Sequence, residues 1–459
     1  MKFTYKRFIS LLMSGFMVLT LAACGGGDGP DKDDDDVKEG MMAAVGSKYA
    51  EGYLLPELQN TEIRWLLSSS YEYHQNFDSE ETPDSNYQAF KTWEETYGTK
   101  VIVDTVAWDD FTVYLTTGAA SGDMPDIVNG GTTWFPSWPA SGLVQPIDDY
   151  IDFSADDKWN LDIMNQLKWK GRYYIAYCGM PEVFYICFNK TKFDLAGEKT
   201  PLEHWQDGNW NWTQFIKTAK SMTNVSNNEY GYTGWNLSIN KAPYSLINVA
   251  EDGTLTSNLK DPRVKNYFQG LYEFFHSGAK RTDNSSSNYM TTFFAGQDAM
   301  IHISAAEYVR KQKMLQITGG DEFRIAPTPI IDSNKETVSR MGSNVYGLSI
   351  SSQAKNPKGA AVMIDLVNEI DGNIQKSYGE LGTFGTYLSE EEKAAVKEAN
   401  KTTPEINMIL GVPNGVALWN ENGGDFIVSD SKEGSVSSFL DSFDSVLNAE
   451  LREIQNATK

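Results

Sequence analysis

The stretch TYGTKVIVDTVAWDDFTVYLTTGAASGDMPDIV, residues 96–128, decides how the chain is read. Its opening residues end a helix. In NYQAFKTWEETYG (86–98), Tyr87, Phe90 and Trp93 or Glu94 recur at helical spacing, and Gly98 stands where a helix needs a left-handed residue to stop. KVIVDTVAW (100–108) follows as a β-branched, nearly continuous run, the pattern of a parallel strand buried on both faces. Residues 109–123 return to helical periodicity with Phe111, Tyr114 and Leu115 on one side, and PDIVNGG (125–131) reads as a third, short strand. Upstream, EIRWLLSSS (62–70) supplies a strand that precedes them all. Strand–helix–strand–helix–strand predicts an α/β fold, a parallel sheet with helices on its faces. In such sheets ligands bind beyond the carboxyl ends of the strands.

With 459 residues the chain is long enough for two lobes, each with its own core. It carries 12 Trp, 23 Tyr and 22 Phe, more rings than an ordinary core requires, and surplus indoles often serve flat, ring-shaped ligands. The net charge of −23 repels phosphate backbones and anionic headgroups, which argues against nucleic acid as a partner and against an electrostatic membrane contact. The three cysteines (Cys24, Cys178, Cys187) form no C-x-x-C pair, and the four histidines (His74, His204, His276, His302) are scattered. No zinc site, other metal site or cofactor is therefore expected. Cys178 and Cys187 are compatible with a disulfide or with free thiols, and spacing does not decide between them.

Residues 1–7 are basic and residues 8–23 apolar and uncharged, the pattern of a secretory signal too short to span a bilayer. The ending Leu21-Ala22-Ala23-Cys24 resembles a bacterial lipobox, in which the cysteine takes a lipid and becomes the first mature residue. Gly25–Gly27, Asp28, Gly29, Pro30 and Asp33–Asp36 cannot pack, so residues 24–57 read as a flexible tether. The aspartate run lacks the graded spacing and the glycine of a calcium loop.

The order of motifs resembles the family 1 extracellular solute-binding proteins, the maltose-binding-protein-like lipoproteins that feed ABC importers. After residues 96–128 it continues through GLVQPIDDYI (142–151), WKGRYYIAYCGMPEVFYICFNKTKF (169–193), TPLEHWQDGNWNWTQFIKTAKSMT (200–223), FFAGQDAMIHISA (293–305) and NPKGAAVMIDLVNEI (356–370). The residues themselves agree with it. Asn356 caps a helix whose N1 is Pro357, with Ala360, Ala361, Ile364 and Val367 as its buried stripe. Phe215, Ile216, Ala219 and Met222 form another stripe, and the indoles of NWNW (209–212) read as packing at a helix start rather than as stacking plates.

The resemblance implies a two-lobed periplasmic-binding-protein-like fold of type II, each lobe a mixed or mostly parallel sheet flanked by helices, with a hinge between. The expected divisions are a signal at 1–23, lobe 1 at 58–178 plus 336–385, and lobe 2 at 179–335 plus 386–459. It implies a monomeric binding protein, not an enzyme, anchored through Cys24 to the outer face of the cytoplasmic membrane. A ligand would be held in the cleft between lobes and delivered to membrane permease subunits.

Carried over position by position, the expected ligand contacts are Ser69, Ser70 and Tyr71 after the first strand, and Trp108 and Asp109 after the second. Gly131 and Trp134 follow the third, Glu182 lies in the crossing segment, and Trp235 sits where relatives supply a stacking ring. Ser304, Glu307 and Tyr308 follow the AMIHI strand, Asn344 lies on the return to lobe 1, and Trp419 contributes late. Indoles edged with carboxylates, amides and hydroxyls suit a sugar or oligosaccharide, whose rings have apolar C–H faces and polar rims. A peptide or polyamine would also fit an acidic, aromatic cleft. A secreted carbohydrate-active enzyme needs only two suitably spaced carboxylates, but no G-x-S-x-G, H-E-x-x-H or P-loop pattern is present. A surface adhesin is the remaining alternative.

Overall fold

The computed structural model describes residues 55–68, 85–155, 157–179, 184–234, 239–282, 289–331, 344–377, 381–401, 403–429 and 432–457. The strands of its two main sheets are, in chain order, β1 (Ile63–Ser68), β2 (Val101–Val106), β3 (Ile127–Gly131), β4 (Val144–Gln145), β5 (Phe184–Asn189), β6 (Met300–Ser304), β7 (Phe323–Ala326) and β8 (Tyr346–Ser351). The principal helices are α1 (Ser85–Tyr97), α2 (Phe111–Ser121), α3 (Trp212–Ser221), α4 (Pro262–Phe275), α5 (Ala305–Thr318) and α6 (Pro357–Ser377).

The first sheet has the order β2–β1–β3–β8–β4. Strand β1 pairs in parallel with both neighbours, Trp65 lying opposite Val103 on one side and Ile127 on the other. Ile63, Trp65 and Leu66 are fully buried, as a central strand covered on both faces requires. The expectation of a buried second strand fails. Strand β2 closes the edge of the sheet, and Ile102 and Thr105 are exposed while the residues around them are half-buried. An edge strand has a neighbour on one side only, so apolar content does not guarantee cover.

Helix α1 ends as predicted, Gly98 taking φ +77°. Helix α2 begins at Phe111, after a short 3-10 turn at Trp108–Asp110, and turns Phe111, Leu115 and Gly118 inward. Tyr114, expected on that buried side, is half-buried and donates to Asp104 (2.9 Å), which also receives Arg64 Nε (2.5 Å). Burial first and the Asp104 carboxylate second raise the pKa of this phenol. The buried Asp126 joins β1 to α6: its carboxylate accepts from the backbone N–H of Arg64 (2.9 Å) and of Asn356 (2.8 Å). Asn356 in turn accepts from the Gly359 N–H (2.9 Å) and so starts α6. Residues 360–367 of α6 are buried all round rather than along a stripe.

The second sheet, β6–β5–β7, is antiparallel throughout, and all six residues of β5 are buried. It packs Phe293, Ile301, Ile303, Tyr308, Phe323 and Ile325 into one apolar cluster. The indoles of NWNW do pack. Trp210 donates its Nε1 hydrogen to the Pro327 carbonyl (2.8 Å), Asn211 caps α3 by accepting from the Gln214 N–H (2.9 Å), and Trp212 meets Tyr267 edge-on. Burying a ring of this kind contributes roughly 3 kcal/mol. No disulfide joins Cys178 and Cys187, and Cys187 is wholly buried in β5. Among the described residues no helix is long and apolar enough to cross a membrane.

The chain forms two compact units. One comprises residues up to Asn129, Gln145–Trp159 and Ser349–Ile374; the other comprises Gly130–Val144, Asn160–Leu348 and the residues from Gln375 onward. The division cuts β3 after Asn129, β4 after Val144 and β8 after Leu348. Residues 130–144 join the second unit because the loop after β3 is bound there: Gly411 packs on the Phe135 carbonyl, and Ser137 Oγ donates to the Gly411 carbonyl.

Candidate functional site

Three segments of the second unit meet where β3 ends and β8 begins. Gly131, at φ +154°, lets the Val345 carbonyl approach so closely that a Cβ would lie 2.1 Å from its oxygen. The same carbonyl accepts from the Thr132 N–H (3.2 Å), and the Val345 N–H donates to Thr132 Oγ1 (3.4 Å). The glycine is thus required by a neighbouring backbone, a stricter demand than leaving room for a ligand.

On the far side of Tyr346, Ala176 and Leu348 exchange both backbone hydrogen bonds (2.8 and 3.1 Å). Gly347 fits because it lacks a Cβ, which would lie 2.5 Å from the Ala176 carbonyl oxygen. Residues 345–348 are therefore clamped from both directions. Within this clamp Asn344 is buried and donates its amide hydrogen to the Tyr346 hydroxyl (2.9 Å). Tyr346 as a residue remains 49% exposed.

After Thr132 the chain turns back through Trp134 and Phe135, both of whose N–H groups donate to the Gly131 carbonyl (3.1 and 3.0 Å). Trp134 is buried and lies flat against Trp138, ring centroids 4.5 Å apart and planes within 15°. One face of the expected sugar plate is thus already occupied by a second indole.

The predicted contacts in the second unit separate into two groups. Gly131, Trp134 and Asn344 meet at the junction just described. Ser304, Glu307, Tyr308 and Trp419 have structural work elsewhere. Ser304 and Glu307 form a reciprocal capping box at the start of α5: the Glu307 N–H donates to Ser304 Oγ (3.3 Å) and the Ser304 N–H to the Glu307 carboxylate (3.3 Å). Tyr308 is buried with its hydroxyl donating to the Phe323 carbonyl (3.2 Å), and burial pushes its pKa up. Trp419 is buried among Phe268, Phe439 and Phe443.

In the first unit, Trp108 is half-buried beside Phe111 (5.4 Å between ring centroids) and Asp109 is exposed, both just beyond the carboxyl end of β2 as predicted. Ser69, Ser70, Tyr71, Glu182 and Trp235 lie outside the described residues, as does Cys24.

The sequence reading missed Tyr346. No local pattern marks it: alternation along β8 sets Tyr346 on one side with Leu348 and the fully buried Ile350, which points to burial rather than exposure.

Residues 78–372, more than half of the chain, match the family described as bacterial extracellular solute-binding protein. A search of curated proteins by sequence finds no match. Among solved structures, the chain is similar to an ABC substrate-binding protein of Listeria monocytogenes in complex with cycloalternan. That pair has 19% identity and a TM-score of 0.61, covering 85% of this chain and 99% of that one. The galacto-N-biose-/lacto-N-biose I-binding protein of Bifidobacterium longum, in complex with lacto-N-biose, has 15% identity and a TM-score of 0.62, covering 86% and 98%. The sugar-binding protein MalE of Xanthomonas citri has 13% identity and a TM-score of 0.63, with the same coverages of 86% and 98%. At such identities the likeness is one of fold.

Proposed function

Because the chain belongs to the bacterial extracellular solute-binding protein family, we propose that it captures a sugar or oligosaccharide outside the cell and passes it to the permease of an ABC importer. The observation that carries this reading is the family match, and the similar structures that hold cycloalternan and lacto-N-biose support a sugar as the ligand class. The junction described above supplies fitting chemistry. Asn344 offers an amide and Tyr346 an open ring, the pairing that a sugar's polar rim and apolar C–H face call for. Trp108 and Asp109 present an aromatic–carboxylate pair in the other unit. Binding needs no chemical step, and ligand affinity alone shifts the population toward the form a permease would recognise.

The basic and apolar start, the lipobox-like Leu21–Cys24 and the Gly–Asp run support export, lipidation at Cys24 and a flexible tether to the membrane. The protein acts as a monomer. The test is a thermal-shift screen of the purified chain against maltotetraose, cycloalternan, lacto-N-biose, short peptides and polyamines. A rise in melting temperature with one or more sugars is expected, because a ligand bound only by the folded state stabilises it. A response to peptides or polyamines alone would replace the ligand class.

A further inference from the structure

We infer that Tyr346 is a stacking platform for a pyranose ring, held in place by Asn344, an inference that rests on the sugar-binding reading above. Among the described residues, Tyr346 is the one aromatic residue classed as exposed, at 49%. Every other described Trp, Phe and Tyr is buried or half-buried, in a chain rich in all three.

An open ring gives up the burial that stabilises its counterparts, so the local structure must hold it out. Val345 is bound to Thr132 and pressed on Gly131, Leu348 is paired with Ala176, and the glycine between them is fitted to that pairing. The hydroxyl end is fixed by a hydrogen bond of 2.9 Å from the buried Asn344. A fixed ring loses little conformational freedom when a ligand stacks on it, which is what makes a preorganised contact efficient. A sugar presents axial C–H groups to such a ring while its hydroxyls face an amide such as that of Asn344.

The test is isothermal titration of the full chain and of Y346A, Y346F and N344A with maltotetraose, cycloalternan and lacto-N-biose, alongside melting curves. For whichever sugar the parent binds, Y346A is expected to bind about tenfold more weakly and Y346F within about threefold, because the ring and not the hydroxyl carries the contact. N344A, which removes both that hydrogen bond and an amide facing the sugar's hydroxyls, should fall between them. Y346A and Y346F both take away the acceptor of the buried Asn344 amide, so each should melt a few degrees below the parent and by similar amounts, which leaves the difference in affinity between them to the ring. Y346A binding within twofold of the parent, or Y346F losing as much as Y346A, overturns the inference while leaving the sugar reading intact. A parent chain that binds none of the three sugars overturns that reading instead, and this inference with it.

Discussion

Replacing glycine by alanine should have opposite effects at Gly131 and Gly372. At Gly131 the added methyl would lie 2.1 Å from the Val345 carbonyl oxygen and 3.1 Å from its carbon, both backbone atoms that cannot rotate away. The residue also has φ +154°, where an L side chain is strained. Overpacking of this kind costs about 1–3 kcal/mol, and the backbone conformation adds about 1–3 kcal/mol. Relaxation shares part of that cost, so a loss of about 2–4 kcal/mol is expected. Gly372 lies inside α6 with nothing within 4 Å of where a Cβ would stand, and its φ is not positive. Alanine there gains helix propensity of up to about 1 kcal/mol. Differential scanning calorimetry should show G131A melting several degrees below the parent and G372A one or two degrees above it. If G131A melts within a degree of the parent, the close approach of Val345 to Gly131 is wrong. The clamp that positions Tyr346 would then be wrong with it.

Stability should fall on mild acidification because of His302. It is wholly buried with Nδ1 2.9 Å from the Tyr232 hydroxyl, and burial lowers its pKa to about 3, against 6.5 for the free side chain. Below that free value the unfolded chain binds a proton that the folded one refuses. Stability is therefore complete above pH 6.5 and is lost as pH falls toward 3, at up to about 1.4 kcal/mol per pH unit. Urea titrations at pH 7 and pH 5 should show a larger drop for the parent than for H302Q, and equal drops would refute this origin. S304A should cost about 1 kcal/mol through the lost cap of α5 and leave sugar affinity within twofold; a selective loss of affinity would return Ser304 to the binding surface. C24A should abolish incorporation of labelled palmitate and move the protein from the membrane to the soluble fraction of the producing cells. Unchanged partition would rule out the lipid anchor.

Local patterns carried the first three strands and their helices, because each is fixed by residues a few positions apart. Gly98 ends α1 and Asn356 begins α6 where the capping chemistry requires. The exposure of β2 was not legible, since edge position follows from pairing order and not from the composition of the strand. Ser304 and Glu307 show the reverse case. Ser-x-x-Glu before a helical run is a capping signature readable in the sequence itself, even though family position points to both residues as ligand contacts. Trp419 reads as a ligand contact in the sequence because its partners Phe268, Phe439 and Phe443 lie outside its immediate neighbourhood in the chain. Tyr346 escapes a sequence reading for the same reason. Its environment is made by Gly131, Thr132 and Ala176, remote segments whose meeting no local pattern announces.

The central claim is that the chain binds a sugar, and isothermal titration calorimetry of the purified protein with maltotetraose, cycloalternan and lacto-N-biose measures it most directly. Saturable, one-to-one binding of at least one of them is the predicted result. Heats no larger than dilution for all three, with a saturable response to a peptide or a polyamine, would contradict it.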